Sequence, residues 1–253
     1  NSNSRIDAIT GEIMNQPYYG IMEKSAMGGG DESAAAYVPT PEEQKVIDDS
    51  GKYISKEKAI EQLKKYINVD SKYNMDNSSL YGGYNNENAG WSISWSYSDK
   101  EKGTYSYLYG TVDAVTGEVK SFSISNSENE YKAGRVQKYT KEQYREIAEK
   151  FLKNIQPVKF STSEYREQYH EIYTDPQNVS SYNINFMRKE NGISVPFNNM
   201  SVTVSAYTGE VINFYMNWQD IKFPDAEGAI SLEEAYKLLY AKHDLILKYI
   251  RIY

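Results

Sequence analysis

Two histidines, His170 and His243, and no cysteine stand in a chain of 253 residues, so the side chains that most often hold metals or drive acyl transfer are scarce. A zinc peptidase needs two histidines one helical turn apart with a glutamate between them. These two are far apart in sequence, and His170-Glu171 reads as a polar pair on a sheet face. A serine hydrolase would require one of them as base beside a buried acid, and no Gly-x-Ser-x-Gly elbow is present. Carboxylates are plentiful at 35, so pairs at glycosidase spacing arise from abundance alone. Met27-Gly-Gly-Gly-Asp31 lacks the Gly-Lys-Ser/Thr that makes a glycine loop a phosphate cradle. We therefore expect no catalytic residue, no metal and no cofactor, and rank a hydrolase third among the possible functions.

The acids that the sequence does place by pattern are Glu12, Glu118 and Glu210. Each closes a copy of one motif: Thr10-Gly11-Glu12, Thr116-Gly117-Glu118 and Thr208-Gly209-Glu210, with apolar residues on both sides. Glycine supplies the left-handed backbone of a tight turn, so the triplet reads as strand, turn, strand, with a solvated acid at the strand start. Asp7 and Asp113 precede two copies and Ser205 the third, which argues against an obligatory chemistry of the aspartate. A second set of candidates is aromatic. Tyrosine occurs 25 times against 7 Phe and 3 Trp. Trp91, Ile93, Trp95 and Tyr97 alternate with serines, and Tyr105, Tyr107 and Tyr109 alternate along the next strand. The tryptophan row is expected to face a helix, whereas the tyrosine row is either a core face or a binding platform for a glycan or extended peptide.

The elements that position these residues follow from capping and periodicity. Ser55 begins a helix to about Ile67 whose apolar face is Ala59, Ile60, Leu63, Tyr66 and Ile67. Thr140 and Gln143 form a capping box before a helix with Tyr144, Ile147, Ala148, Phe151 and Leu152 on its buried stripe, ended by Pro157. Ser231 opens a further helix, and Thr40-Pro41-Glu42-Glu43 a short one to about Asp49. Residues 70 to 90 are Asn- and Gly-rich and read as loop, as does Gly20 to Tyr37. The stretch from Tyr165 to Tyr173 reads as a strand, with a short helix capped through Ser161 and Glu164 as the alternative. Strands follow at 182–186 and 193–197, and residues 5 to 19 read as a hairpin remnant.

A net charge of −7 argues against nucleic acid as the main partner, and no apolar run is long enough to span a bilayer. The first residues lack an initiator Met and the regions of a signal peptide, so we expect a segment of a longer protein with any signal upstream.

The residues that recur, Trp91-x-Ile-x-Trp95, Val112-Asp-Ala-x-Thr-Gly-Glu-Val119 and Phe186-x-Arg188-x-x-Asn191-Gly192-Ile193 ahead of Val202-x-Val204, resemble the PepSY-like YcdB/YcdC repeats. The resemblance implies an α+β fold of tandem PepSY-like units, each a helix packed on an antiparallel β-sheet. It places the end of a preceding truncated repeat at 1–20, a linker with a short helix at 21–53, repeat 1 at 54–138, repeat 2 at 139–229, and the start of a truncated following repeat at 230–253. It also implies a non-catalytic module, extracellular or in the cell envelope of Gram-positive bacteria, whose partner is a peptidase that it inhibits or regulates, or a cell-wall component. A purely structural spacer is the alternative.

Overall fold

The computed structural model describes residues 5–6, 13–14, 50–82, 88–127, 134–167, 179–224 and 227–242. The chain divides into two compact units, residues 1–35 with 223–253, and residues 36–222. In the first, β1 (Arg5–Ile6) and β2 (Ile13–Met14) pair antiparallel, on either side of the first Thr-Gly-Glu copy. The second unit holds most of the described elements.

Its elements in order are α1 (Lys56–Lys64), β3 (Asn74–Tyr81), β4 (Gly90–Asp99), β5 (Thr104–Asp113), β6 (Val119–Asn126), α2 (Lys141–Ile155), α3 (Pro157–Ser161), β7 (Ser163–Arg166), β8 (Ser181–Glu190), β9 (Ile193–Ser205) and β10 (Val211–Asn217). Ser55 caps α1 by accepting from the Lys58 N–H at 3.3 Å. Thr140 and Gln143 close the expected capping box on α2. Pro157 both follows the end of α2 and sits in the first turn of α3, where its missing N–H costs nothing. Of the two readings of the stretch around Tyr165, the described part is strand, Ser163–Arg166, and no helix starts at Ser161, where the unexpected α3 instead ends. In the first unit, α4 (Leu232–Lys242) begins where Ser231 accepts from the Glu234 N–H at 3.1 Å.

The class is α+β, and the architecture departs from the expected one. The eight strands β3 to β10 form one antiparallel sheet in the order β3-β4-β5-β6-β10-β9-β8-β7, making a single domain rather than a separate sheet for each unit. The join is β6 against β10, with Phe122 opposite Phe214. One core runs across it. Ile93, Gly110, Phe122, Phe214, Val202 and Ile184 lie in register from β4 to β8. Phe151 of α2 contacts both Phe122 and Phe214 edge-on, and Leu63 of α1 occupies the space where a Gly110 side chain would stand. Phe160 of α3 packs on Phe186 of the same face. The helices α1, α2 and α3 thus lie on one side of the sheet, in two layers.

A further correction concerns residues 70 to 90, where β3 replaces much of the expected loop. Asn74–Tyr81 is polar because it is an edge strand, held by β4 on one side only and broken by a bulge between Met75 and Asn77. The expectations for Gly20 to Tyr37, the helix after Thr40, Thr10, Gly11, Glu12, His170-Glu171, Tyr169, Tyr173 and His243 fall outside the described residues.

Candidate functional site

The two described copies of the repeated motif build the same device. Gly117 and Gly209 take φ of +77° and +76°. The Gly117 N–H donates to Asp113 O and the Gly209 N–H to Ser205 O, each at 2.9 Å. Thr116 Oγ1 accepts from the Glu118 N–H and Thr208 Oγ1 from the Glu210 N–H, each at 3.2 Å. The buried alanine of each copy then ties two other segments to the turn. Ala114 N–H donates to Ala89 O ahead of β4, and Ala206 N–H to Ser180 O ahead of β8. Their carbonyls accept from Ile54 N and Lys138 N at the entries to α1 and α2. A hairpin placed this way fixes where a helix and a strand begin, which is a structural duty.

The residue before that alanine explains why Asp gives way to Ser. Asp113, buried, accepts from the N–H groups of Val115 and Thr116 through Oδ1, while Oδ2 takes Asn88 Nδ2 at 2.9 Å and stands 3.8 Å from Lys120 Nζ. In the other copy Ser205 Oγ accepts from the Thr208 N–H, and Ile212 occupies the bulge position that Lys120 fills in β6. Acid and counter-charge change together, as they must when the acid is desolvated, because one left alone would be an uncompensated charge. The acids of the triplet also differ in role: Glu118 binds Lys159 Nζ at 2.6 and 2.7 Å, while Glu210 is exposed. Thr116, Gly117, Glu118 and Lys159 line an open cleft of about 570 Å³ with Gln62, Tyr66 and Gln156. Tyr66, half-buried there, has its phenol pushed to a higher pKa by desolvation. In the other copy the Tyr139 ring covers Gly209.

The opposite side of the sheet is a different surface. Alternation along each strand sends every second side chain away from the helices. One cross-strand row is Asn77, Ser94, Tyr109, Ser123, Asn213, Thr203 and Asn183, and the next is Ser79, Ser92, Thr111, Ser121, Tyr215, Ser201 and Asn185. Not one of these carries a formal charge, although a quarter of the chain is charged. The hydroxyls and amides join into short ladders, Thr111 Oγ1 to Ser121 Oγ at 2.7 Å and Ser201 Oγ to Asn183 Oδ1 at 2.6 Å. From this background Tyr105, Tyr107 and Tyr215 protrude, 40, 44 and 49 % exposed, with Tyr109 half-buried among them.

Of the sequence candidates, then, Tyr105, Tyr107 and Tyr109 share this face, while Ile93 and Trp95 are buried beneath the helices and Trp91 donates its Nε1–H to Ile54 O at 2.9 Å. Tyr215, Asn213 and Asn185 belong to the same face and were missed. The signal was present: Asn213, Tyr215 and Asn217 alternate with Phe214 and Met216.

Charge returns at the margins, and most densely toward the β7 edge. There Glu164 accepts from Lys189 Nζ at 2.7 Å and Ser194 Oγ at 3.0 Å, and these bonds, Lys189 first, hold its carboxyl below the ordinary value. Beside it a recess of about 510 Å³ is lined by Arg166, Glu167, Asn185, Met187, Pro196 and Asn199 among others. The Asn185 Nδ2 amide is buried without a hydrogen-bond partner. Among the described residues no group of three or more His, Asp or Glu could hold a metal ion, and no helix is long and apolar enough to cross a membrane.

Against known proteins, the family described as "YcdB, YcdC repeated domain" matches residues 56–218. A search of curated proteins gives no match. Among solved structures, the chain is similar to the Bacillus megaterium YpeB C-terminal domain, with a TM-score of 0.49 and 15 % identity over 74 % of this chain and 75 % of that one.

Proposed function

Because this chain belongs to the family of YcdB, YcdC repeated domains, the matched segment covering more than half of it, we propose that it is an extracellular, non-catalytic PepSY-like module that binds partners in the cell envelope. The observation that carries this reading is the helix-free sheet face. An antiparallel sheet needs only one buried face, and the other is ordinarily solvated by charged side chains. Here the second face instead presents four exposed tyrosines, Tyr105, Tyr107, Tyr215 and, on the edge strand β3, Tyr81, on a field of hydroxyls and amides whose two central rows carry no charge. Exposed aromatic rings of this kind give large contact area at small entropic cost, which is why they are enriched where proteins bind.

The organisation into two PepSY-like repeats, 54–138 and 139–229, belongs to the same proposal. It is supported by the matched hairpins, each bonded to the entry of its own helix and strand. Two classes of partner fit an envelope module, a peptidase held in check and a wall component.

The test is capture from envelope extract by the full chain and by a Tyr105→Ser, Tyr107→Ser, Tyr215→Ser variant. We expect reproducible partners that the variant loses while its unfolding curve stays unchanged. A chain that captures nothing is a spacer, and turnover that survives repurification and vanishes with one acidic pair would make it an enzyme.

A further inference from the structure

Resting on that reading, we propose that the helix-free face is a track for an uncharged, hydroxyl-rich glycan strand. The first reason is charge. Both central rows cross six strands from β4 to β8 without a Lys, Arg, Asp or Glu; the charged groups Asp76, Glu164, Arg166 and Lys189 stand toward the outer strands, and the mutually paired Asp113 and Lys120 stand at the ends of β5 and β6. Such a field gives no Coulomb attraction to nucleic acid, to an anionic wall polymer or to a charged peptide, and charge complementarity selects a neutral partner.

The second reason is hydrogen-bonding capacity. Serine and threonine hydroxyls donate and accept, and asparagine amides do both through separate atoms. A surface made of them can meet a dense array of ligand hydroxyls in whichever sense each points. Tyrosine rings add flat apolar platforms with a polar tip. Tyr105, Tyr107 and Tyr109 follow each other along β5 at about 6.8 Å intervals, and Tyr215 lies two strands and one alternation from Tyr109, about 12 Å on ideal sheet dimensions.

The third reason is an unmet donor. Asn185, at the far end of the second row, lines the recess, and its Nδ2 is buried behind that lining without a partner. A buried amide left unpaired costs about 1–3 kcal/mol, so a turn of this side chain toward the recess, where a ligand oxygen can accept from it, is favoured. The carbonyl of an N-acetylated sugar is an acceptor of that kind. Arg166 and Glu167 beside it are opposite in sign, and so leave the recess close to neutral.

The experiment uses the full chain on chitin and cellulose as neutral strands, with polygalacturonate and chitosan as charged ones, at low and high salt. A soluble chito-oligosaccharide supplies the affinity. Retention on a neutral strand, unmoved by salt, is expected. Tyr107→Ala and Tyr215→Ala should each weaken the oligosaccharide about tenfold with unfolding unchanged, and Asn185→Leu should weaken an N-acetylated strand more than cellulose. Retention on charged strands alone, lost in high salt, overturns the inference, as does tyrosine variants binding like the parent. If no neutral glycan binds yet the tyrosine triple variant loses a partner from envelope extract, the glycan inference fails and the binding-module reading stands. If neither binds, both fail.

Discussion

Gly117 and Gly209 offer an internal control for what limits a tight turn. They have the same φ to within a degree and the same 2.9 Å bond back to the residue four before. Replacing either by alanine places a Cβ in the left-handed region, at a cost of about 1–2 kcal/mol. Their surroundings differ. A Cβ on Gly117 meets only Ile54 Cδ1 at 3.7 Å, an ordinary contact, whereas one on Gly209 runs into the Tyr139 ring. That ring is not free to swing, since it packs edge-on against Tyr144 at 5.7 Å and beneath Lys138 Nζ at 5.2 Å. Forcing such a group aside costs a further 1–3 kcal/mol or so. We therefore expect Gly117→Ala to lose about 1–2 kcal/mol and Gly209→Ala about 2–5 kcal/mol. Urea unfolding followed by tryptophan fluorescence and far-ultraviolet circular dichroism measures both, with equal m-values required for the comparison. In a Tyr139→Ala background the cost of Gly209→Ala should fall to that of Gly117→Ala, which a double-mutant cycle reads directly. Equal costs in the parent chain, or no relief in that background, would refute the reasoning.

Two other outcomes follow from buried and surface polar groups. Tyr144 is fully buried, and its hydroxyl donates to Ala206 O at 2.6 Å while accepting from the Lys138 and Tyr139 N–H groups. Tyr144→Phe removes the acceptor of the Tyr139 N–H and leaves Lys138 N–H and Ala206 O only their bond to each other, and should cost about 1–3 kcal/mol in urea unfolding. Glu164 has its carboxyl pulled below the ordinary 4.5 by Lys189 and Ser194. A depressed folded pKa contributes stability that is present above the unfolded value and lost as pH falls through the folded one. Thermal unfolding of the Glu164→Gln variant should therefore match the parent at the acid end and fall below it near neutrality, and parallel pH profiles would count against the bond.

What could be read locally came through. Ser55, Thr140 and Gln143 announce helix starts because capping is settled within four residues. The tryptophan row reads as core because alternation beside a helix leaves little choice, and Ile93 and Trp95 are buried. The strand β3 escaped because Asn-Met-Asp-Asn-Ser-Ser-Leu-Tyr has neither alternation nor β-branched residues, and becomes a strand only by pairing with β4. The join of β6 to β10 escaped for a related reason. Phe122 and Phe214 are each legible as strand residues facing a core, but nothing local says that they face each other. The helix-free face shares this property, since its rows exist only once six strands have been set side by side.

That join has a consequence for growth. Phe122 and Phe214 stand six residues after the threonines of their own Thr-Gly-Glu copies, and each is the other's partner, flanked by Ser121 with Tyr215 and Ser123 with Asn213. Each half thus presents the same positions that it receives, although only the phenylalanine is common to both, which makes the contact isologous in geometry, with a pseudo-twofold axis through the phenylalanine pair. Isologous contacts close on themselves. Once β6 and β10 have met, neither half retains a free copy of that edge, so a third half has no equivalent seat. A longer chain of such halves would be a string of closed pairs rather than a sheet of increasing width.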